Sequence, residues 1–541
     1  METEFIRKES AFLLLLLFIA VFAGAARRLR VPYPILLTIV GGILGGLPIL
    51  PSIELDPNLV FFVFLPPLLF AAGWQLSWRE FQSNFSRILR LAVGLVVFTI
   101  LVLVVARRWL LPGFDWKSAL LLGAIIGATD AVAATSIARR LGLPRRIVDV
   151  LEAESLVNDG TGLLAFQFSL GILVSGHTPS VFDSIGKLVY LSGGGVLIGL
   201  LIGYFVSMLE RWIDDGPIEI VVSILISYAV YIFAQNLHTS GILAVIACSM
   251  LMSHESHRFM SPQVRLQFAG SWDVITFVLN GVVFILIGLQ LPFVRLQLSG
   301  IGTWRLLQTG ALFSISIVVL RLVWIFSETY AVFWYRKLQK NPDNAAPRNK
   351  ELFVLTWGGM RGVLSLAAAF SVPYTLSNGA SYGQRSMIVY LTFCLIVTSL
   401  VLQGLTMPSL IRLMAIDSTS DEEREERHAR RRLVEDALRY LNRRRVKERF
   451  DAAVITEMLS MYEDRLRALP TEEFEGHEEG SRMQRDALLL EILEIERESL
   501  IQLRNEAAIS DDVVRTIQRD LDLFESHVHT GSARSVLTRH L

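Results

Sequence analysis

Polar and ionisable side chains form three clusters inside otherwise apolar stretches of this 541-residue chain. The first cluster is Thr129-Asp130. The second runs from Glu154 to Asp159, and the third is centred on Arg361. An ionisable side chain at the centre of a membrane helix costs about 2.5–3.5 kcal/mol, so its presence indicates a function or a buried partner. Carboxylates bind protons, and oxygen atoms are the ligands that hard cations prefer. The clusters therefore predict a site for cations and protons within a membrane.

The second cluster places its polar side chains on adjoining faces of one helix. Glu154 and Asn158 are four residues apart and stack on one face, and Ser155 and Asp159 do the same. The two pairs are about 100° apart around the helix axis. All four side chains are therefore expected to border one polar zone.

The third cluster contributes a charge that needs a partner. Arg361 keeps its proton in a protein and requires a carboxylate if it is buried. We expect Glu154 to form a structural ion pair with Arg361. Asp130 is expected to cap the start of a half-helix, where an anion complements the exposed N–H groups. Asp159 then remains to exchange its proton for a cation, although Asp130 and Glu154 could also exchange roles.

The cation itself is expected to bind oxygen atoms of the first two clusters. Asp159 supplies the charge, and the hydroxyl or carbonyl of Thr129 supplies a second ligand for a monovalent metal ion. The Ser155 hydroxyl and the Asn158 amide complete the predicted set.

Composition divides the chain into two parts. Charged residues make up about 12% of residues 1–416 and 40% of residues 417–541. So few charges cannot cover a soluble globule of 416 residues, so lipid must solvate the first part. Equal numbers of basic and acidic residues argue against nucleic-acid binding. Two cysteines in apolar runs exclude a disulfide framework. We therefore predict a membrane domain, 1–416, and a cytoplasmic helical tail, 417–541, that regulates the protein or stabilises a dimer.

Apolar runs near the length of a bilayer crossing predict an all-α membrane protein with about thirteen transmembrane helices. The predicted spans are 11–26, 33–50, 58–75, 86–106, 118–138, 147–174, 186–209, 218–236, 239–253, 271–291, 305–334, 351–375 and 385–411.

The fifth and twelfth spans carry glycines and other small residues around their polar centres. Such residues weaken a helix and favour an unwound stretch at membrane depth. Broken helices in corresponding places of two halves are typical of secondary transporters. The offset of seven spans predicts two inverted six-helix repeats, spans 1–6 and 8–13, whose broken helices cross. Lys and Arg are about twice as frequent in one set of alternate loops, which predicts an external amino terminus and a cytoplasmic tail.

The same motifs resemble those of the Na⁺/H⁺ exchangers of the cation:proton antiporter superfamily. The resemblance is to the branch with an Asn-Asp pair, which is typically electroneutral. One departure is Ala71, where many members have an acidic residue, so a ligand from the third span is left open. The motifs are Thr129-Asp130, Glu154-Ser155-Leu156-x-Asn158-Asp159 and Gly358-Gly359-x-Arg361-Gly362, supported by residues 64–70, 236–245 and 284–289.

This resemblance implies a cation and proton site at Asp159 with Asn158, Thr129 and Asp130, beside the structural ion pair. It also implies a homodimer in the cell membrane, with an elevator-like movement of its core. We expect exchange of Na⁺ or Li⁺ for H⁺, one for one, in pH and sodium homeostasis. Membrane lipids and the transported ions are the expected partners, and no cofactor is expected.

The alternatives to Na⁺/H⁺ exchange are a K⁺/H⁺ antiporter, a gated cation channel and an intramembrane enzyme. A K⁺/H⁺ antiporter remains open, because selectivity depends on cavity size and ligand number. A gated channel fits less well, because the polar residues concentrate in a few spans. An intramembrane enzyme ranks last, since no metal-protease or Ser–His pattern lies within the spans. Arg321, in a long apolar run, is expected to extend towards the membrane interface.

Overall fold

The chain separates into two compact units, Met1–Ser418 and Thr419–Leu541. Its computed structural model contains helices and turns, and no strand is present in the described part of the chain. The described residues are 2–29, 31–46, 60–76, 78–130, 132–141, 143–175, 180–213, 215–298, 300–339, 347–376, 379, 381–414, 420–442 and 452–467.

The first unit is a bundle of helices joined by short turns. A π-helical turn at Val60–Phe64 leads into α3, and another at Ser399–Gln403 leads into α17. In chain order the helices are α1 Glu2–Leu29, α2 Tyr33–Gly45, α3 Leu65–Gln75, α4 Trp78–Leu110, α5 Trp116–Ile125, α6 Val132–Arg140, α7 Arg145–Ser175, α8 Val181–Glu210, α9 Gly216–Asn236, α10 Gly241–Phe259, α11 Pro262–Leu289, α12 Leu291–Leu296, α13 Thr303–Leu338, α14 Asn349–Trp357, α15 Val363–Phe370, α16 Arg385–Thr398 and α17 Gly404–Met414.

The second unit contains two described helices, α18 Ser420–Leu441 and α19 Ala452–Arg467, which contact each other. Val434, Leu438 and Leu441 recur at helical spacing, which predicts an apolar stripe, and these residues lie on α18. A second stripe predicted in the same way, from Leu488 to Leu500, lies outside the described residues. A regulatory or dimer-stabilising role of the tail stays a prediction.

Among the described residues, seven helical segments are long and apolar enough to cross a membrane, which agrees with the expected all-α membrane fold. Thirteen spans and two inverted repeats remain predictions. The seven are Asn84–Leu110, Ile147–Ser175, Phe182–Glu210, Gly216–Asn236, Val264–Leu296, Thr303–Leu338 and Arg385–Met414. Shorter apolar helices are Tyr33–Gly45, Val60–Gln75, Trp116–Ile125 and Gly241–Ser256.

Local sequence explains where many of these helices begin. Each of five helices is preceded by a Ser or Asp whose side chain accepts a hydrogen bond from a backbone N–H three residues later, which satisfies one donor of the first turn. These residues are Asp115, Ser180, Asp215, Ser240 and Ser261.

Glycines allow the closest helix contacts in the bundle. A Cβ at Gly199 of α8 would overlap the Ala244 carbonyl of α10, and one at Gly41 of α2 would overlap the Ile285 carbonyl of α11. Small residues let membrane helices pack at short distances, where dispersion contacts are strongest. These pairs hold α8 against α10 and α2 against α11.

The fifth and twelfth predicted spans are interrupted, as their small residues indicated. Helix α5 ends at Ile125 and α6 begins at Val132, while α14 ends at Trp357 and α15 begins at Val363. In each break, backbone N–H and C=O groups are available for hydrogen bonds outside a helix. The two breaks coincide with the polar clusters at Asp130 and Arg361.

Candidate cation and proton site

The two interrupted helices meet at their breaks. The backbone N–H of Asp130 donates to the Met360 carbonyl at 2.8 Å, so the two residues form an isolated antiparallel bridge. Backbone groups at membrane depth need such partners because no water is available to them. The bridge fixes the first and third sequence clusters against each other.

Asp130 lies at the beginning of two half-helices. It precedes α6 by two residues, and its side chain packs against Gly362, the residue that precedes α15. A Cβ at Gly362 would overlap the Asp130 carboxylate, so this close approach requires glycine. Helix amino termini carry exposed N–H groups and partial positive charge, which stabilise an anion there.

Asp159 faces a cavity of about 410 Å³ between α3, α6, α7 and α11. Asp130, Thr129 and Ser155 line the same cavity, so four of the five predicted ligand residues border one space. The charges of Asp130 and Arg361 both act on Asp159. A carboxylate in this position is reached from the cavity and can accept a proton or a cation.

The fifth predicted ligand residue, Asn158, is fully buried behind the cavity. Its amide nitrogen donates to the Thr129 hydroxyl at 3.1 Å and to Glu154 Oε1 at 3.3 Å. The Ser155 hydroxyl donates to the Thr129 carbonyl at 2.5 Å. Asn158 Oδ1 is buried with no hydrogen-bond partner in the described part of the chain. Such an oxygen fits a site that holds a hard cation.

The ion pair expected between Glu154 and Arg361 is wrong. Glu154 Oε1 instead lies 2.7 Å from Nη2 of Arg321, and both side chains are buried. The expected extension of Arg321 to the membrane interface is therefore also wrong. Arg321 is near the middle of the 36-residue helix α13, roughly 25 Å from either end, which its side chain cannot span.

Arg361 donates to a backbone carbonyl, and the charge of Glu154 acts on it without a direct ion pair. Its Nη1 donates to the Ala128 carbonyl at 3.1 Å, and its backbone N–H donates to the Ser399 hydroxyl at 3.0 Å. Ala128 lies in the break between α5 and α6. Arg361 thus satisfies a backbone carbonyl in the break of the first interrupted helix.

Arg321 does the same at the second interrupted helix. It donates to the carbonyls of Thr356 at 3.1 Å and Leu355 at 3.3 Å, which lie in the last turn of α14. The Arg321 guanidinium therefore binds both the Glu154 carboxylate and the carboxyl end of α14. The sequence signal for this role was the position of Arg321 near the centre of its helix.

The structure shows whether the third span, which contains Ala71, supplies a carboxylate to the site. Ala71 lines the cavity, and so does Gln75 one turn later, but the sequence of α3 contains no acidic residue. The other carboxylates at the cavity wall are Glu152 of α7 and Asp273 of α11. The third span therefore contributes no carboxylate to the cavity.

Gly359→Ala tests the packing around Arg321. A Cβ at Gly359 would overlap the Arg321 guanidinium, so we expect a loss of stability of roughly 1–3 kcal/mol. Thermal unfolding in detergent measures it. The control is Gly270→Ala in α11, where a Cβ meets nothing within 4 Å and the better helix propensity of alanine applies. Equal melting temperatures for Gly359→Ala and the unsubstituted protein would contradict this packing.

Comparisons with known proteins identify the family of the chain. Residues 14–413 match the family model described as sodium/hydrogen exchanger, transmembrane. The chain is 29% identical over 500 residues to a sodium, potassium, lithium and rubidium/H⁺ antiporter of Bacillus pumilus, covering 90% of this chain and 73% of the relative. It is 32% identical over 416 residues to the Na⁺/H⁺ antiporter ApNhaP of Aphanothece halophytica, covering 76% of each.

A solved structure shows the same fold. The sodium proton antiporter MjNhaP1 from Methanocaldococcus jannaschii, determined at pH 8, superposes with a TM-score of 0.60. The match covers 77% of this chain and 100% of the other at 19% identity.

Proposed function

Because the chain belongs to the sodium/hydrogen exchanger family and exchanges cations for protons, we propose that Asp159 is the carboxylate at which one Na⁺ or Li⁺ replaces one H⁺. The observation that carries the proposal is the position of Asp159 on the wall of the 410 Å³ cavity, beside Thr129 and Ser155. The protein is a multi-pass membrane transporter rather than an enzyme, as its antiporter relatives are.

The neighbouring residues have distinct parts in this proposal. Asp159 alternates between a proton and a cation, and the oxygens of Thr129 and Ser155 add ligands from the cavity wall. Asn158 holds Thr129 in place through its amide nitrogen and offers its buried Oδ1 to the site. Asp130 contributes negative charge without leaving the helix amino terminus against which it packs.

Stoichiometry follows from how many carboxylates exchange a proton. Glu154 is held in a buried ion pair with Arg321, which gives it a structural part rather than a transporting one. The amide of Asn158 carries no proton in this pH range. One proton therefore crosses in one direction for each monovalent cation in the other, and no net charge moves.

Electroneutrality is testable in proteoliposomes. We expect the initial rate of Na⁺-driven proton movement to be unchanged when valinomycin and K⁺ gradients set an inside-negative potential. A voltage-sensitive dye confirms that the potential is present. A rate that follows the potential would contradict one-for-one exchange and assign a second proton to another carboxylate, with Asp130 as the first candidate.

The choice of cation has two candidates, Na⁺ or Li⁺ on one side and K⁺ on the other. The Bacillus pumilus relative is named for sodium, potassium, lithium and rubidium, so K⁺/H⁺ exchange is the second candidate. Adding Na⁺, Li⁺ and K⁺ separately to everted vesicles and recording proton movement discriminates between them. We expect responses to Na⁺ and Li⁺ that exceed the response to K⁺.

The remaining proposals concern orientation and assembly. We propose that the amino terminus is external, the tail is cytoplasmic, and the protein is a homodimer in the cell membrane. Gln75 is the last residue of α3, and Ser136 lies just before Arg139 and Arg140 in α6, so both cavity residues are close in sequence to basic segments. Since basic loops favour the cytoplasm, this supports a cavity that opens inward in the structure described.

A further inference from the structure

A second pair of carboxylates is buried outside the cavity that contains Asp159. Glu210 is the last residue of α8, and Glu219 lies in the first turn of α9. Both residues are 0% exposed, and neither lines the cavity. The two helices are joined by residues 211–215 alone, so both carboxylates lie at the same end of this helix pair. The transport proposal does not use either one.

The two carboxylates lie close enough for their charges to interact. Helix α10 packs against both α8 and α9, and its Cys248 lies within reach of the charge of Glu210. Three helices therefore border the pair.

Glu210 has no partner for its charge in the described part of the chain. Both of its carboxylate oxygens are buried without a hydrogen bond. The adjacent base, Arg211, contacts Glu255 at 3.8 Å, and Glu255 also binds Arg258 at 2.7 Å. Arg211, the basic residue next to Glu210 in the sequence, therefore pairs with Glu255 and not with Glu210.

A serine on the same helix adds a third oxygen. Ser207 lies one turn before Glu210 on the same face, is 2% exposed, and its hydroxyl has no hydrogen-bond partner among the described residues. Serines in helices commonly donate to the carbonyl four residues earlier. Ser184 and Ser192 of α8 do so, whereas Ser207 does not.

Helix dipoles make the two carboxylates unequal. Glu219 lies at an amino terminus, where an anion is stabilised, and Glu210 lies at a carboxyl terminus, where an anion is disfavoured. A buried carboxylate at a helix carboxyl end needs a positive charge beside it. A divalent ion supplies that positive charge beside Glu210, and carboxylate and hydroxyl oxygens are the ligands that Ca²⁺ and Mg²⁺ prefer.

We propose that Glu210, Glu219 and Ser207 bind one hard divalent cation that fastens the end of α8 to the start of α9. The site is separate from the cavity in which Asp159 exchanges ions. Binding stabilises the folded protein, because the ion compensates carboxylates that the unfolded chain exposes to water.

Equilibrium binding to the purified full-length protein in detergent tests this site. After treatment with a chelator and its removal, Ca²⁺ and Mg²⁺ are titrated separately into the unsubstituted protein, Glu210→Gln, Glu255→Gln and Asp159→Asn. We expect one Ca²⁺ or one Mg²⁺ per chain, with at least tenfold weaker binding in Glu210→Gln. Glu255→Gln, which changes a neighbouring, partly buried acid that already binds Arg211 and Arg258, and Asp159→Asn are expected to bind as the unsubstituted protein does.

Thermal unfolding of the unsubstituted protein, with and without the ion, gives a second readout that does not depend on whether a variant folds. The ion is expected to raise the melting temperature of the unsubstituted protein and to leave that of Glu210→Gln unchanged. Binding of neither ion would overturn the proposal and indicate that protons neutralise the pair. If Glu210→Gln bound the ion as tightly as the unsubstituted protein, or if Glu255→Gln lost as much affinity as Glu210→Gln, the proposal would also be overturned. Either result would indicate that the ion binds at another place.

Discussion

Asp159→Asn is expected to abolish Na⁺-driven proton movement in proteoliposomes, with a residual rate at the level of protein-free vesicles. An amide neither binds a proton in the relevant pH range nor supplies the negative charge that holds the cation. The side chain keeps its size and its place on the cavity wall, so the protein is expected to insert and fold normally. Fluorescence of a pH-sensitive dye trapped inside the vesicles measures the loss.

Asp273→Asn is the matched control for this substitution. It makes the same acid-to-amide change in a carboxylate that lines the same cavity, but on α11 rather than on α7, the helix that carries Asn158 and Asp159. Exchange is expected to continue in this variant. Substantial exchange by Asp159→Asn, or equal loss in both variants, would place the site at another carboxylate.

Arg321→Ala is expected to destabilise the protein by about 3–5 kcal/mol, because it leaves the carboxylate of Glu154 buried and unpaired. Glu154→Ala leaves the opposite charge unpaired and should cost a similar amount. The double substitution is expected to recover part of the loss, since no charge then remains uncompensated. Thermal or chemical unfolding in detergent gives the comparison.

Arg90→Ala provides the control. Arg90 contacts Glu328 at 2.6 Å, but its side chain is 37% exposed, so water replaces much of the lost interaction. We expect a cost of no more than about 1 kcal/mol. If Arg321→Ala and Arg90→Ala lowered stability equally, the buried pair would not have the structural role assigned to it.

The interrupted helices could be predicted from sequence because their signal is local. Small residues surround Asp130 and Arg361 within runs long enough to cross a membrane, and a helix cannot easily continue through such a stretch. The convergence of Asp159 and Ser155 on one cavity also follows from their spacing along a single helix.

The partner of Glu154 could not be predicted in the same way. Arg361 was expected because it lies in a polar motif, whereas Arg321 stands alone in an apolar run with no motif around it. Which guanidinium reaches Glu154 depends on how α13 packs against α7 and α14. That packing is a long-range property that the spacing of residues in one segment does not report.

The buried pair at the end of α8 escaped prediction for a related reason. Glu210 is followed by Arg211 and Trp212, which is typical of a solvated loop at the end of a membrane helix. Its complete burial arises from the packing of α8 against α9 and α10, and glycines such as Gly199 permit that close approach. Neither the depth of the site nor the unsatisfied hydroxyl of Ser207 is visible in the sequence.

Counting the protons released when Na⁺ binds tests the central claim most directly, because it examines the exchange at Asp159 without transport. Calorimetric titration of Na⁺ into the purified protein, repeated in buffers of different ionisation enthalpy, gives that number. At a pH where Asp159 is protonated, we expect one proton released per Na⁺ bound, and no Na⁺ binding by Asp159→Asn at the same concentrations. Release of two protons, or of none, would contradict exchange at a single carboxylate.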